Sequence, residues 1–197
     1  DSAVLLDATA GPLPGRADEF SGSAGSFADA LVRDMPELRV ALWTDGLAGE
    51  AVSEECVRAA TGAARLCESV GCLVEEVRPP VEGGALRDAL DVVFTTNIRQ
   101  VVQAVLADQP AAVAAGLLEP ITVACFEAGT RHDGAAYEAA LRHARRVTQA
   151  MEEFFERFDL LLTPTLAEPP MALGVLDMQT DDWDSYFQRL LDAIPFT

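Results

Sequence analysis

Lysine is absent from this sequence: all 14 of its basic residues are arginine. A lysine general base, a Schiff-base lysine and a P-loop lysine are therefore excluded within these 197 residues. Histidine is nearly as scarce. His132 and His143 are the only two, they form no His-x-x-x-His pair, and neither has a cysteine at metal-ligand spacing, so the usual zinc patterns are missing. The cysteines Cys56, Cys67, Cys72 and Cys125 make no C-x-x-C pair, and buried free thiols in a reducing compartment are expected. No apolar run approaches the ~20 residues of a membrane span, and no signal peptide is visible. There is no G-x-G-x-x-G phosphate loop and no G-x-S-x-G elbow. Internal repeats and low-complexity tracts are absent too.

What is present is an acidic, core-forming chain. Half of the residues are hydrophobic, enough for a sizeable core and against disorder. The 32 acidic residues outweigh the basic ones to give a formal charge of −18. That balance argues against nucleic acid and against an anionic membrane surface, and is read as serving solubility. The sequence opens on Asp1 rather than Met and closes on the apolar run Ile194-Pro195-Phe196-Thr197. Both ends suggest a piece of a larger cytoplasmic α/β protein.

Periodicity predicts the following organisation. Asp1 to Ala10 reads as the end of a helix stopped by Gly11-Pro12, and Leu13 to Ala28 as a Gly/Pro/Ser-rich surface loop that includes Gly22-Ser23-Ala24-Gly25. Leu38 to Trp43 is a short strand ending at the Asp45-Gly46 turn. Ser53 caps a helix whose buried stripe is Cys56, Ala60, Ala63, Cys67 and Val70, closed by Gly71. Leu73 to Val77 is a second strand, so residues 38–77 form a βαβ unit, expected to be parallel. Ala85 to Ala107 shows helical spacing at Leu86, Leu90, Phe94, Ile98, Val101 and Val105, with strand as the alternative. Pro110 and Pro120 are candidate helix starts. Asp133 caps the clearest helix, with Tyr137, Leu141, Ala144, Thr148, Met151, Phe155 and Phe158 on its apolar side. Leu160 to Thr163 is uniformly apolar and reads as an interior strand. After a proline-rich loop, Asp181 or Asp182 caps a last helix with Trp183, Tyr186, Phe187, Leu190 and Leu191 buried.

Few residues offer chemistry. Both histidines are expected to be exposed. Asp181, Asp182 and Asp184 are an acidic helix start rather than a metal site. Thr163-Pro164-Thr165 stands out because it directly follows a buried strand, where α/β sheets place ligand-lining loops. Thr95, Thr96 and Asn97 stand out as polar residues inside an apolar helix; buried, they need a partner, a water or a ligand.

Three segments, in order, resemble the amidase signature family. Asp1-Ser2-Ala3-Val4-Leu5-Leu6-Asp7-Ala8-Thr9-Ala10-Gly11-Pro12 is similar to the helix just after the signature region. Glu68-Ser69-Val70-Gly71-Cys72-Leu73-Val74-Glu75-Glu76-Val77 is similar to a strand-entry stretch, and Phe158-Asp159-Leu160-Leu161-Leu162-Thr163-Pro164-Thr165 to a late strand. The run Thr165-Leu166-Ala167-Glu168-Pro169-Pro170 resembles the subgroup that includes 6-aminohexanoate cyclic dimer hydrolases. The resemblance implies an α/β fold with a mixed β-sheet flanked by helices. It also implies an incomplete single amidase-like domain over 1–197, without the N-terminal signature region and the last strands. The implied activity is hydrolysis of a carboxamide by a Ser–cis-Ser–Lys triad, in which a neutral buried lysine draws a proton through one serine from the other. With no lysine, no residue here is assigned as catalytic and the chain alone is expected to be inactive. Thr96, Asn97, Thr163 and Thr165 are the expected substrate-binding residues. No metal or organic cofactor is implied. The implied partner is a small-molecule amide, with a homodimer left open. Rival readings are a non-catalytic amidase-like or amidotransferase-type component, and an unrelated α/β ligand-binding domain.

Overall fold

A computed structural model of the chain describes residues 1–10, 25–108, 116 and 118–196. The expected stop at Gly11-Pro12, most of the loop from Leu13 to Ala28, Gly22 to Ala24 and the helix start at Pro110 lie outside them. The chain divides into two compact units, Asp1–Glu37 and Leu38–Thr197.

Among its described residues the first unit has helices α1 (Ser2–Thr9) and α2 (Phe27–Ala30). The Asp7 carboxylate joins them. It accepts from Ser26 Oγ at 2.7 Å and from the Phe27 and Ala28 N–H groups at 2.6 and 3.0 Å, so it satisfies the free donors at the start of α2. Those bonds, the Ser26 hydroxyl first, hold the Asp7 carboxyl below the usual range. No residue of α1 is buried.

The second unit is built on the predicted βαβ segment. β1 (Arg39–Leu42), α3 (Glu54–Ser69) and β2 (Leu73–Glu76) are followed by α4 (Gly83–Asp108), α5 (Pro120–Ala128) and a single 3₁₀ turn (Gly129–Arg131). Next come α6 (Gly134–Phe155), β3 (Leu160–Leu162) and α7 (Trp183–Ala193). The expected caps form. Ser53 Oγ accepts from the Cys56 N–H at 3.3 Å, Asp133 Oδ1 from Ala136 at 2.8 Å and Asp182 Oδ1 from Ser185 at 3.0 Å. Gly71 ends α3 at φ +96°, a conformation that favours glycine.

The three strands are parallel in the order β2-β1-β3. One face of the sheet, through Leu42, Val74 and Leu162, packs on Ala60 and Ala64 of α3. The other, through Ala41 and Leu161, packs on Met151, Phe154 and Phe158. A third apolar cluster joins Ile121, Cys125 and Ala128 of α5 to Trp183 and Phe187 of α7.

Four expectations are corrected. On α3, Ala64 is buried while Val70 is exposed. A 16-residue helix runs about 24 Å and a four-residue strand about 13 Å, so the last turn of α3 has no strand beneath it. On α6, Phe154 is buried instead of Phe155, because Phe154 and Phe158, one turn apart, form the pair that meets Ala41. Among the described residues β3 is an edge strand rather than an interior one: it pairs with β1 alone, and Leu160 is exposed. On α4, helix prevails over strand, but Leu90, Phe94, Val101 and Val105 are exposed, whereas Ala89, Thr95 and Val102 are buried. Small residues win that face because they allow close approach. A Cβ on Gly129 would collide with the Thr95 carbonyl.

Candidate functional site

Because all three strands run the same way, their carboxyl ends open along one edge, and the loops there are held in place by backbone bonds. The Trp43 N–H donates to Leu162 O at 3.0 Å and the Val77 N–H to Leu42 O at 3.0 Å. Ala167 fixes the loop after β3. Its carbonyl accepts from the Ser53 N–H at 2.7 Å and its N–H donates to Ala193 O at 2.9 Å, tying the loop to the start of α3 and the end of α7. An ion pair between Glu168 and Arg189 adds to this. Within the loop Thr163 is half-buried, Pro164 buried and Thr165 exposed.

The two other expected binding residues sit on α4. Their neighbour Thr95 is fully buried and satisfied internally, its Oγ1 donating to Asp91 O at 2.7 Å. Thr96 Oγ1 is buried and has no hydrogen-bond partner among the described residues. Asn97 is exposed and accepts from the Tyr137 hydroxyl at 3.3 Å. None of Thr96, Asn97, Thr163 and Thr165 lines the two cavities that border α4 and α7.

The first of these cavities, of about 250 Å³, lies against the sheet face that α6 covers. Trp43 and Leu47 after β1, Pro79 and Val81 after β2, and Leu86 and Leu90 of α4 form much of its wall, with Val147, Met151, Leu161 and Phe196. Trp43 is 6% exposed, and its Nε1 has no hydrogen-bond partner among the described residues. Its ring meets Phe196 edge-on at 5.3 Å and lies beneath the Arg78 guanidinium at 5.9 Å.

Arg87 separates this cavity from a second one of about 350 Å³ that also contains Asp91, His132 and Asp184. The guanidinium pairs with Glu50 at 2.5 Å and Asp192 at 2.9 Å and donates to Leu191 O at 2.7 Å. Glu50 in turn accepts from the Ala48 N–H at 2.9 Å. One turn along, Asp91 accepts from Trp183 Nε1 at 2.9 Å and lies 3.5 Å from His132 Nε2. Arg99 reaches Gly129 O at 3.3 Å.

Motif and periodicity arguments pass over this network, yet its signal is visible in the sequence: Arg87, Asp91, Thr95 and Arg99 recur every four residues and fall on one stripe of the helix. Both histidines are half-buried rather than exposed. His132 is drawn toward Asp91, and His143 lies beside Arg146 at 3.2 Å. Asp182 caps α7 and Asp184 pairs with Arg131 at 2.9 Å, as expected of an acidic helix start.

All four cysteines are free, with Cys72 and Cys125 buried and Cys56 and Cys67 half-buried. Burial, and then the charge of Asp91, pushes the Cys125 thiol up to about 11, so it stays protonated and unreactive at neutral pH. Among the described residues no group of His, Cys, Asp and Glu is placed to hold a metal ion, and no helix is long and apolar enough to cross a membrane.

Comparison with known proteins agrees with this architecture. The fold is similar to that of 6-aminohexanoate cyclic dimer hydrolase, with a TM-score of 0.76 and 25% identity over 98% of this chain and 43% of that one. A bacterial aryl acylamidase of the amidase signature family shares the fold at a TM-score of 0.65 and 23% identity, over 79% of this chain and 31% of that one. Among curated proteins, a glutamyl-tRNA(Gln) amidotransferase subunit from Geobacillus stearothermophilus is 23% identical over 192 residues, 88% of this chain and 39% of that protein. The chain thus spans about two fifths of the length of the curated relatives it matches. The family model described as Amidase matches residues 1–197, the whole chain, and the protein belongs to the amidase family.

Proposed function

We propose that the protein hydrolyses a carboxamide C–N bond to a carboxylate plus an amine or ammonia, in the cytoplasm, and that these residues supply one wall of its substrate cleft. The family match over the whole chain carries the reading, and the likeness to 6-aminohexanoate cyclic dimer hydrolase supports it. A Ser–cis-Ser–Lys triad needs a lysine that these 197 residues do not contain, so the reacting groups come from elsewhere in the protein. Thr163 and Thr165, on a loop held at Ala167, and Thr96 and Asn97, on α4, are the polar groups offered to the amide. Thr96 Oγ1, buried without a partner among the described residues, has hydrogen-bonding capacity to spare.

The test measures ammonia and amine release from a panel of linear and cyclic amides. The product of the whole gene is expected to turn over at least one of them, and the isolated 197-residue chain none. Turnover by the isolated chain, or none by the whole product, would overturn the proposal.

The likeness to an amidotransferase component favours a second reading, in which the protein acts within a larger assembly. Its signature would be a partner that copurifies and is required for amide transfer. A net charge of −18 makes direct contact of this chain with RNA unfavourable.

A further inference from the structure

We infer that Arg189 of α7 is a positioning residue for amide binding, acting through Glu168 to hold the loop that carries Thr163 and Thr165. This role rests on the reading above that the loop lines the amide cleft.

The loop is fastened where two helices have backbone groups to spare. A helix leaves its last carbonyls without partners inside it. At the end of α7, Leu191 O accepts from Arg87 at 2.7 Å and Ala193 O from the Ala167 N–H at 2.9 Å. On its other side, the Ala167 carbonyl accepts from the N–H of Ser53, the cap of α3, at 2.7 Å. Ala167 is 1% exposed, so this pin is shielded from water. Just past it the backbone can do less, because Pro169 and Pro170 have no N–H to donate. There the hold passes to a side chain, Glu168, which pairs with Arg189. Arg189 and Ala193 stand one turn of α7 apart, so one stripe of the helix meets the loop twice. The helix itself is a fixed post. Arg87, 10% exposed, grips its end through Leu191 O and Asp192, and Trp183 ties its start to Asp91.

The pair is suited to placement rather than to stability. Its side chains are 35% and 37% exposed, and ion pairs open to water add little to folding. What it restrains is local. Glu168 lies three residues from Thr165 and five from Thr163. Pro164 between those threonines is buried and its φ is fixed by the ring, so a shift at Glu168 is passed along a stiff segment to both hydroxyls.

The whole protein is compared with Glu168→Gln, Arg189→Gln and the double variant. Each single variant should raise KM, for an amide that the wild type turns over, by about threefold to fivefold, the ratio one partly exposed ion pair supports, with kcat within about twofold. The double variant should be about as impaired as either single one, because all three remove one contact. Tm should stay within about 2 °C of wild type. Hydrogen exchange over residues 163–170, which needs no substrate, should quicken by about the same factor in every variant. An unchanged KM, single effects that multiply in the double variant, a Tm that falls in step with the rise in KM, or unchanged exchange would overturn the role of Arg189. If the wild type turns over no amide, the hydrolase reading fails, and the exchange alone decides whether Arg189 holds the loop.

Discussion

Replacing the buried Arg87 should damage this protein more than replacing any of its paired surface arginines. The Arg87 and Glu50 side chains are only 10% and 6% exposed, and they meet at 2.5 Å. Removing the guanidinium leaves a buried carboxylate with the Ala48 N–H as its remaining hydrogen-bond donor. A buried charge stripped of its partner costs about 3–5 kcal/mol. That is a large share of the roughly 5–15 kcal/mol typical of a folded domain. For a chain of this size it corresponds to a fall in Tm of roughly 6–20 °C.

A small series separates this cause from lost packing. Arg87→Met keeps most of the volume and removes the charge. Glu50→Gln in the same background removes the orphaned charge but keeps an acceptor for Ala48, so the double variant should recover about 2 kcal/mol or more of the loss. Asp192→Asn should cost less than about 1 kcal/mol, because that carboxylate is 43% exposed and water replaces its partner. Urea unfolding of the wild type, the single variants and the double variant gives the cycle. If Arg87→Met costs under about 1 kcal/mol, or if the double variant loses the sum of the single losses, the pair is not a buried, mutually dependent one and the reasoning fails.

Gly129→Ala should cost about 1–3 kcal/mol and slow no chemistry of its own, since its Cβ would meet the Thr95 carbonyl and come within 3.0 Å of Arg99 Cβ; a melt unchanged from wild type would show that α4 and the 3₁₀ turn are less close than described. The Arg39 backbone N–H at 2.7 Å, and then its guanidinium, hold the Asp159 carboxyl below the usual range. The folded pKa is therefore depressed, and this contribution is fully present above the ordinary carboxylate value and lost as pH falls through the lowered one. Asp159→Asn should flatten the fall in Tm between about pH 5 and pH 2; an unaltered slope would refute the assignment. Native Cys125 should resist iodoacetamide at about pH 8, where its thiol, pushed up to about 11, is protonated and buried; rapid alkylation mapped to that residue would contradict it.

The elements that could be read from the sequence are those with one apolar face and explicit ends. Ser53, Asp133 and Asp182 each put a side-chain oxygen where helix donors need one, Gly71 supplies a positive φ, and strand spacing makes the βαβ unit parallel. What failed was orientation about an axis. On α4 the apolar residues do not define a single side. Leu90, Phe94, Val101 and Val105 make one plausible stripe, and Ala89 and Val102 belong to another. Hydrophobicity cannot choose between them. The choice is made by partners far along the chain: Glu50, Asp192 and the Gly129 carbonyl accept from Arg87 and Arg99, and the Trp183 indole N–H donates to Asp91.

The same ambiguity decided how much of the site was legible. Polar residues inside an apolar helix are expected to face a partner, a water or a ligand, and for Thr95 the partner is its own helix, because a hydroxyl can donate a hydrogen bond to the carbonyl four residues back. Thr96 keeps the ligand expectation alive, since its Oγ1 has no such partner. Trp43 looked like nothing more than a strand end, since an indole in a strand is ordinarily a packing group. What makes it chemically notable is an absence: no described side chain or carbonyl accepts its indole N–H. An unmet donor is a property of the assembled environment and is written in no single segment. Motifs therefore located the family and the loops, whereas which buried donors stay unpaired among the described residues follows only from the assembled contacts.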